Sequence, residues 1–268
     1  LIWPEGQPFK LKAKRDSKDF SLSLKQQGDW FIADGQLKLD DETVLSLKEL
    51  LGLMQQNPGR FIKLNEQDYL ALSDNFRRQL QQLAAYSESS GQHQKFSNLA
   101  IPALSGLMED VGELKADNAW KQQVQRLNEL AQFQPKLPST LQAELRDYQQ
   151  QGYHWLSQLA HWGVGACLAD DMGLGKTIQT LALLLQRAPH GSALVVAPTS
   201  VAMNWLAEAA RFAPTLKLRW YQQQRGLEDL QPFELVVASY GLLQSDSEAF
   251  AQVKWHTLVL DEAQAIKN

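Results

Sequence analysis

Residues 137–268 alternate short apolar runs rich in β-branched residues with segments of helical apolar spacing. This alternation requires crossover connections, so it predicts an α/β fold with a parallel sheet and helices on both faces. In such sheets the ligand binds at the carboxyl ends of the strands. The predicted strands are GACLA (165–169), ALVVA (193–197), KLRWY (217–221), ELVVAS (234–239) and TLVLD (257–261), and the predicted helices are 177–186 and 201–212.

Residues 1–136 have a different, mixed pattern that predicts a separate α+β N-terminal domain. A chain of 268 residues is long enough for two hydrophobic cores. Pro135 and Pro138 end the preceding helical pattern, so the domain break is predicted near residue 137. The predicted elements are strands at 20–24, 30–40 (with an Asp34-Gly35 turn) and 61–64, helices at 44–56 and 68–86, a polar loop at 87–98, and two more helices up to residue 133.

Composition excludes several classes of protein. The single cysteine, Cys167, excludes an internal disulfide and fits a reducing cytoplasm; its apolar surroundings predict a small core residue. The 5 histidines show no zinc-ligand spacing, and no apolar run is long enough for a membrane span, so no membrane partner is expected. The net charge of −4 gives no support from composition to nucleic-acid binding.

The segment CLADDMGLGKTIQT (167–180) resembles a phosphate-binding loop, although Asp170 stands where the signature has its first glycine. Gly173 and Gly175 allow a tight turn whose N–H groups point at phosphate oxygens. Lys176 would reach the β- and γ-phosphates of ATP, and Thr177 would ligate Mg²⁺. The alternative is a turn that contains an incidental Gly-Lys-Thr.

TLVLDEAQ (257–264) has the form of a strand that ends in a Walker B acidic pair. Asp261 would hold Mg²⁺, and Glu262 would act as the base toward the attacking water. The alternative is an acidic pair that ends a strand or caps a helix. Because the two motifs occur in this order, each after an apolar run, they predict MgATP binding with Lys176, Asp261 and Glu262 in catalytic roles.

The carboxylate of Asp170 need not oppose a polyanionic ligand. It can turn away from the phosphates and accept hydrogen bonds from N–H groups of the loop. The charges of Lys176 and Mg²⁺ and the dipole of the following helix would offset the remaining repulsion.

Five segments, in order, resemble the Swi2/Snf2-type ATPases, helicase-like DNA translocases of superfamily 2. They are LRDYQQQGYHWL (145–156), ADDMGLGKTIQT (169–180), APTSVAMNWLAEAARFAP (197–214), VVASYGLL (236–243) and DEAQAIKN (261–268). Asp170 matches the opening Asp of the family's DEMGLGKTIQ segment, Asp171 stands where Glu is usual, and Asp147 replaces a Pro.

This resemblance implies a RecA-like first lobe that binds MgATP and, in the whole enzyme, tracks along double-stranded DNA without separating its strands. It implies that Gln149 contacts adenine. It also implies that the nucleotide is surrounded by Asp170, Met172, Gly173, Leu174, Gly175, Lys176 and Thr177. Positions that in the family lie near the DNA backbone are matched by Pro198, Thr199, Ser200, Ser239 and Tyr240, for which helix caps and strand-end turns are the alternative.

The family's second lobe, with its arginine fingers, would follow the last motif. The sequence is therefore expected to be a piece of a longer protein that hydrolyses ATP negligibly by itself. Residues 1–136 more loosely resemble the region before the ATPase core of bacterial Snf2-like proteins, which suggests a bacterial source and a cytoplasmic, nucleoid-associated location. Two alternatives stay open. The protein could be an RNA helicase or another superfamily 2 NTPase, or residues 1–136 could be a module that docks a partner protein while the second half is a nucleotide-binding scaffold.

Overall fold

The computed structural model describes residues 10–57, 59–65, 67–171 and 173–267. Met172, one of the predicted nucleotide-binding residues, lies outside the described residues. The chain divides into two compact units, Leu1–Ala131 and Gln132–Asn268, so the division falls slightly before the break predicted near residue 137.

In its described residues, the first unit has two sheets and four α-helices. Its strands are β1 Lys10–Arg15, β2 Phe20–Gln27, β3 Trp30–Lys38, β4 Val44–Ser46, β5 Phe61–Lys63, β6 Asp68–Leu72, β7 Glu88–Ser90, β8 His93–Ser97 and β9 Glu113–Ala116. Its α-helices are α1 Leu47–Gln56, α2 Asp74–Tyr86, α3 Ile101–Asp110 and α4 Asn118–Glu129. One sheet has the order β7-β8-β3-β2-β9, with β4 beside β3, and the other has the order β1-β6-β5.

The turn predicted at Asp34-Gly35 is wrong, because β3 runs without interruption through both residues. Gly35 lies opposite Leu22, and a Cβ atom at Gly35 would overlap the ring of Phe20. The glycine therefore serves close packing inside a strand rather than a turn. The β2–β3 hairpin turns instead at Gly28, whose φ of 60° is in the left-handed region.

Three other predictions for the first unit are wrong in part. Residues 44–46, predicted as the start of a helix, form β4, because the Ser46 hydroxyl caps α1 by accepting from the N–H of Glu49. Residues 68–72 form β6 rather than the start of a helix, because the Ser73 hydroxyl caps the helix by accepting from the N–H of Phe76. The segment predicted as a polar loop at 87–98 contains the β7–β8 hairpin around Gly91. The polar composition of the segment gave no strand pattern, although β8 buries its alternate residues Gln94 and Phe96.

The second unit has the predicted α/β architecture. Its elements are α5 Asp147–Trp162, α6 Lys176–Arg187, β10 Ala193–Ala197, α7 Thr199–Phe212, β11 Lys217–Trp220, β12 Glu234–Ser239, α8 Tyr240–Ser245, α9 Ser247–Gln252 and β13 Thr257–Leu260. The sheet is entirely parallel, with the order β11-β12-β10-β13.

Helices cover both faces of this sheet, as the alternation of the sequence predicted. On one face Val195 and Ala197 pack with buried residues of α6 and α7. On the other face Leu194 and Val196 pack with Phe250 of α9. Among the helices in the described part of the chain, none is both long and apolar enough to cross a membrane.

The strand predicted at 165–169 is wrong, because residues 164–171 have no regular secondary structure. Cys167 is exposed and is therefore not the core residue that was expected. The segment contains glycine and two alanines, which offer little apolar surface to hold a strand against the sheet. Within the described residues β13 pairs only with β10, and its Leu258 and Leu260 are 54% and 40% exposed.

We predict that Gly35→Ala lowers the free energy of unfolding by about 1–3 kcal/mol, because the added methyl group overlaps the Phe20 ring. Urea denaturation measures the change. Gly52→Ala is the matched control, since that position is helical and has open space around it, so alanine should be neutral or stabilising. If Gly35→Ala lowers the free energy of unfolding by the same amount in the wild-type and in the Phe20→Leu backgrounds, the packing explanation is contradicted.

Candidate functional site

The Gly-Lys-Thr loop, residues 170–177, leads into the N-terminus of α6. Gly173 and Gly175 have φ angles of 82° and 74°, conformations that favour glycine. Gly175 is the N-cap of α6, and it has no side chain to cap the first turn. The N–H groups of that turn and the positive end of the helix dipole therefore form a favourable place for an anion.

Lys176 folds back over this loop. Its Nζ donates to the backbone carbonyl of Asp170 at 2.6 Å and to that of Asp171 at 3.1 Å. A phosphate that binds here would draw the amine away from these two carbonyl oxygens. Asp170 and Asp171 are exposed, and the hypothesis that the Asp170 carboxylate accepts from loop N–H groups stays a prediction.

Gln149 connects α5 to the loop. Its Oε1 accepts from the N–H of Arg146 at 3.0 Å, and its Nε2 donates to the carbonyl of Leu174 at 3.2 Å. A Cβ atom at Gly175 would overlap the Gln149 amide, so the glycine is required by this contact as well as by its φ angle. The predicted contact of Gln149 with adenine is not tested by these bonds, which place its amide beside the loop.

Gln179 of α6 packs against α5, and sequence reasoning missed it. The side chain is 0% exposed, and its Nε2 donates to the carbonyl of Gly175 at 3.3 Å. A Cβ atom at Gly152 of α5 would overlap the Gln179 amide. Two glycines, one on each element, therefore allow α5 and the start of α6 to approach closely.

The other end of α6 is fixed to the amino end of β13. Arg187 donates from Nε to the Thr257 hydroxyl at 2.8 Å and from Nη2 to the His256 carbonyl at 3.1 Å. The 12 residues of α6 extend about 18 Å and the 4 residues of β13 about 13 Å, so the helix is long enough to reach from the amino end of β13 to its carboxyl end. Because α6 packs along β10, its N-terminus lies near the carboxyl edge of the sheet, where β10 and β13 end.

Asp261 lies at that carboxyl edge. Its N–H donates to the carbonyl of Val196 at 2.8 Å, which continues the pairing of β13 with β10. Its Oδ2 accepts from Nε1 of Trp205 at 2.7 Å, and its Oδ1 accepts from the N–H of Glu262 at 2.9 Å. The Tyr240 hydroxyl donates to its carbonyl at 2.8 Å.

Glu262 directly follows and has a φ of 51°, in the left-handed region. Such a conformation is costly for a residue with a Cβ atom, by about 1–2 kcal/mol. Strained residues of this kind cluster at functional sites. The exposed carboxylate accepts a hydrogen bond from the Gln264 amide, so the chain turns sharply after Asp261 and leaves Glu262 open to solvent.

The residues predicted to lie near DNA divide into two groups. Thr199 and Ser200 are exposed in the first turn of α7, where the N–H groups of Val201 and Ala202 donate to the Pro198 carbonyl. Ser239, in contrast, is buried, and its hydroxyl caps α8 by accepting from Leu242. Tyr240 is half-buried and contacts Asp261. DNA contact stays a prediction for all five, and the capping alternative holds for Ser239.

Sequence reasoning missed two residues of α7 beside Asp261. Trp205 contacts its carboxylate directly. The second residue is Glu208. Burial raises the pKa of its carboxyl group, the positive charge of Arg211 lowers that pKa, and the negative charge of Asp261 raises it. The only sequence signal was a tryptophan in an amphipathic helix, which is ordinarily a core residue.

The donor set at this edge fits MgATP. Two glycines in the left-handed φ region, a lysine amine and the first turn of α6 suit phosphate oxygens, while hydroxyl and carboxylate oxygens are the ligands that Mg²⁺ prefers. A parallel sheet with helices on both faces, carrying these groups at one edge, defines a RecA-like α/β lobe. The family of this lobe follows from comparison with known proteins.

Residues 148–268 match the model of the SNF2-related domain. Helicase SWR1 of Eremothecium gossypii is 39% identical over 160 residues, which cover 55% of this chain and 11% of that protein. The chromatin-remodeling ATPase INO80 of Schizosaccharomyces pombe is 39% identical over 155 residues, 51% of this chain and 10% of that protein. YwqA of Bacillus subtilis is 43% identical over 146 residues, 50% of this chain and 16% of that protein.

Among solved structures, the Sulfolobus solfataricus SWI2/SNF2 ATPase core in complex with dsDNA has 37% sequence identity and a TM-score of 0.46, covering 51% of this chain and 30% of that one. The chain spans only 10% to 16% of the length of the three relatives named above. The resemblance of the five motifs to Snf2-type, helicase-like ATPases is thereby confirmed, since residues 148–268 match the SNF2-related domain.

We predict that Gln149→Ala lowers the free energy of unfolding of the second unit by about 1–3 kcal/mol, because it removes two buried hydrogen bonds. Hydrogen exchange should also become faster at the amides of residues 174–176. Gln151→Ala, on the exposed side of the same helix, is the control and should change stability by less than about 0.5 kcal/mol. Equal effects of the two substitutions would show that Gln149 does not hold the loop.

Proposed function

We propose that residues 137–268 are the first ATPase lobe of a Swi2/Snf2-type translocase that acts on double-stranded DNA. The proposal is carried by the position of Asp261 at the carboxyl edge of a parallel sheet and by the direction of α6, whose far end is bonded to the amino end of β13. The relatives support it, because they are named as a helicase and as a chromatin-remodeling ATPase.

Each polar group at the edge has a role that suits its chemistry. The first-turn amides of α6 and the amine of Lys176 would bind and orient the phosphates of ATP. The Thr177 hydroxyl and the Asp261 carboxylate would hold Mg²⁺, which when bound neutralises charge on the phosphates. Glu262, exposed after its left-handed turn, would take the proton of the attacking water.

Hydrolysis should need more than this lobe. In related phosphoryl transfers an arginine that stabilises the transition-state charge contributes about 10³–10⁵ in rate. The cationic side chain described beside the loop, Lys176, already serves the phosphates. We therefore propose that the arginine comes from a second lobe and that this lobe alone turns over slowly.

DNA contact is proposed at the exposed start of α7. Thr199 and Ser200 can donate hydroxyl hydrogen bonds to phosphate oxygens, and the α7 N-terminus adds its dipole. The chain has a net charge of −4, so it supplies little nonspecific attraction to DNA. A docking role for residues 1–136 and a cytoplasmic location stay predictions.

We predict that the 268-residue chain binds ATP with Mg²⁺ and that Lys176→Ala weakens binding by about 10- to 100-fold, because a charged hydrogen bond to phosphate is lost. Titration with a fluorescent ATP analogue measures this. Lys254→Ala, at an exposed lysine of the same unit, is the control and should bind like the wild type.

The same samples test turnover. The chain alone should show negligible ATP hydrolysis, with or without duplex DNA or RNA. DNA-stimulated turnover by this chain would contradict the need for a second lobe. Stimulation of the natural protein by RNA but not by duplex DNA would favour the RNA helicase alternative, and failure of the wild-type chain to bind any nucleotide would overturn the proposed function.

A further inference from the structure

We infer that Trp205 is a positioning residue for Asp261 and that, with Tyr240, it couples the segments near the proposed DNA face to the metal-binding carboxylate. The inference rests on the proposed function, since it gives Asp261 a role toward Mg²⁺. The sequence motifs assign no role of this kind to Trp205. Its support is the set of hydrogen bonds around Asp261.

The Trp205 ring is held firmly. It is 3% exposed and packs in the cluster that includes Ala202 and Ala209 of its own helix and Leu181 of α6. An indole N–H can only donate, and a buried one usually has an acceptor. Here the acceptor is a carboxylate oxygen at 2.7 Å, a short distance typical of a charge-assisted bond.

The Asp261 carboxylate is fixed at both oxygens. Trp205 donates to Oδ2, while the N–H of Glu262 donates to Oδ1. Two donors on different sides set the plane of the carboxylate, and each oxygen keeps a lone pair that can accept a metal ion. Donors that orient a ligand in this way typically change metal affinity about 10- to 100-fold when they are removed.

Two segments beside the carboxyl edge converge on this residue. Trp205 lies on α7, which begins at the exposed Thr199, and Tyr240 directly follows Ser239 at the end of β12. One segment donates to the side chain of Asp261 and the other to its carbonyl. A shift of α7 on contact with DNA would therefore act directly on the orientation of the Asp261 carboxylate, and a shift of the β12 end would act on it through the Asp261 backbone.

A purely structural role is the alternative, in which Asp261 merely satisfies a buried indole. Trp255 offers a matched control, because its Nε1 donates to the Phe250 carbonyl at 3.0 Å in the same unit. Trp205→Phe and Trp255→Phe each keep an aromatic ring and remove one indole hydrogen bond. Only the first removes a donor to Asp261.

The test is the Mg²⁺ dependence of nucleotide binding by the 268-residue chain, measured with a fluorescent ADP analogue. Trp205→Phe should raise the Mg²⁺ concentration for half-maximal tightening about tenfold and leave metal-free binding within about twofold. Tyr240→Phe should have a smaller effect in the same direction. Trp255→Phe should match the wild type, and equal Mg²⁺ dependence of Trp205→Phe and Trp255→Phe would overturn the inference.

A second measurement does not depend on nucleotide binding. In ¹⁵N-labelled wild-type chain, one indole N–H resonance should shift strongly on Asp261→Asn, because its acceptor loses its charge, while the other indole resonances stay in place. The resonance that moves is expected to be the one absent from Trp205→Phe. If no indole resonance responds, the Trp205–Asp261 bond does not exist, whereas a clear response in a chain that binds no nucleotide would leave the bond standing and reject the proposed function.

Discussion

The backbone hydrogen bond from Asp261 to Val196 is the contact on which the candidate site depends. It extends the parallel pairing of β10 and β13 by one residue beyond β13 and so fixes Asp261 at the carboxyl edge. The chain turns at Glu262 immediately afterwards, with a φ of 51°. The acidic pair therefore owes its position to sheet register rather than to a flexible loop.

Close packing of α5 against α6 is the second constraint. Gly152 accommodates the Gln179 amide, and Gly175 accommodates the Gln149 amide. These contacts bring two buried glutamines to the loop backbone, where Gln179 donates to the carbonyl of Gly175 and Gln149 to that of Leu174. The loop is therefore supported by Gln149, which the motifs predict as an adenine contact, and by Gln179, which they predict only as a helix residue.

Local sequence patterns predicted the features that depend on local physics. Runs such as ALVVA are buried on both faces of a parallel sheet, and their period and length are sufficient to identify them. The patterns failed where packing between distant residues decides the structure, as at Gly35 beneath Phe20 and at residues 165–169. Trp205 could not be found in this way, because its acceptor lies 56 residues along the chain.

The most direct test is the position of the metal ion. Crystals of this chain grown with Mn²⁺ and a non-hydrolysable ATP analogue would locate the ion by its anomalous scattering. The account predicts Mn²⁺ bound between the Thr177 hydroxyl and the Asp261 carboxylate, directly or through one water, with phosphates on the first turn of α6. Metal and phosphates bound away from this edge, or an ion that Asp261 does not reach, would contradict it.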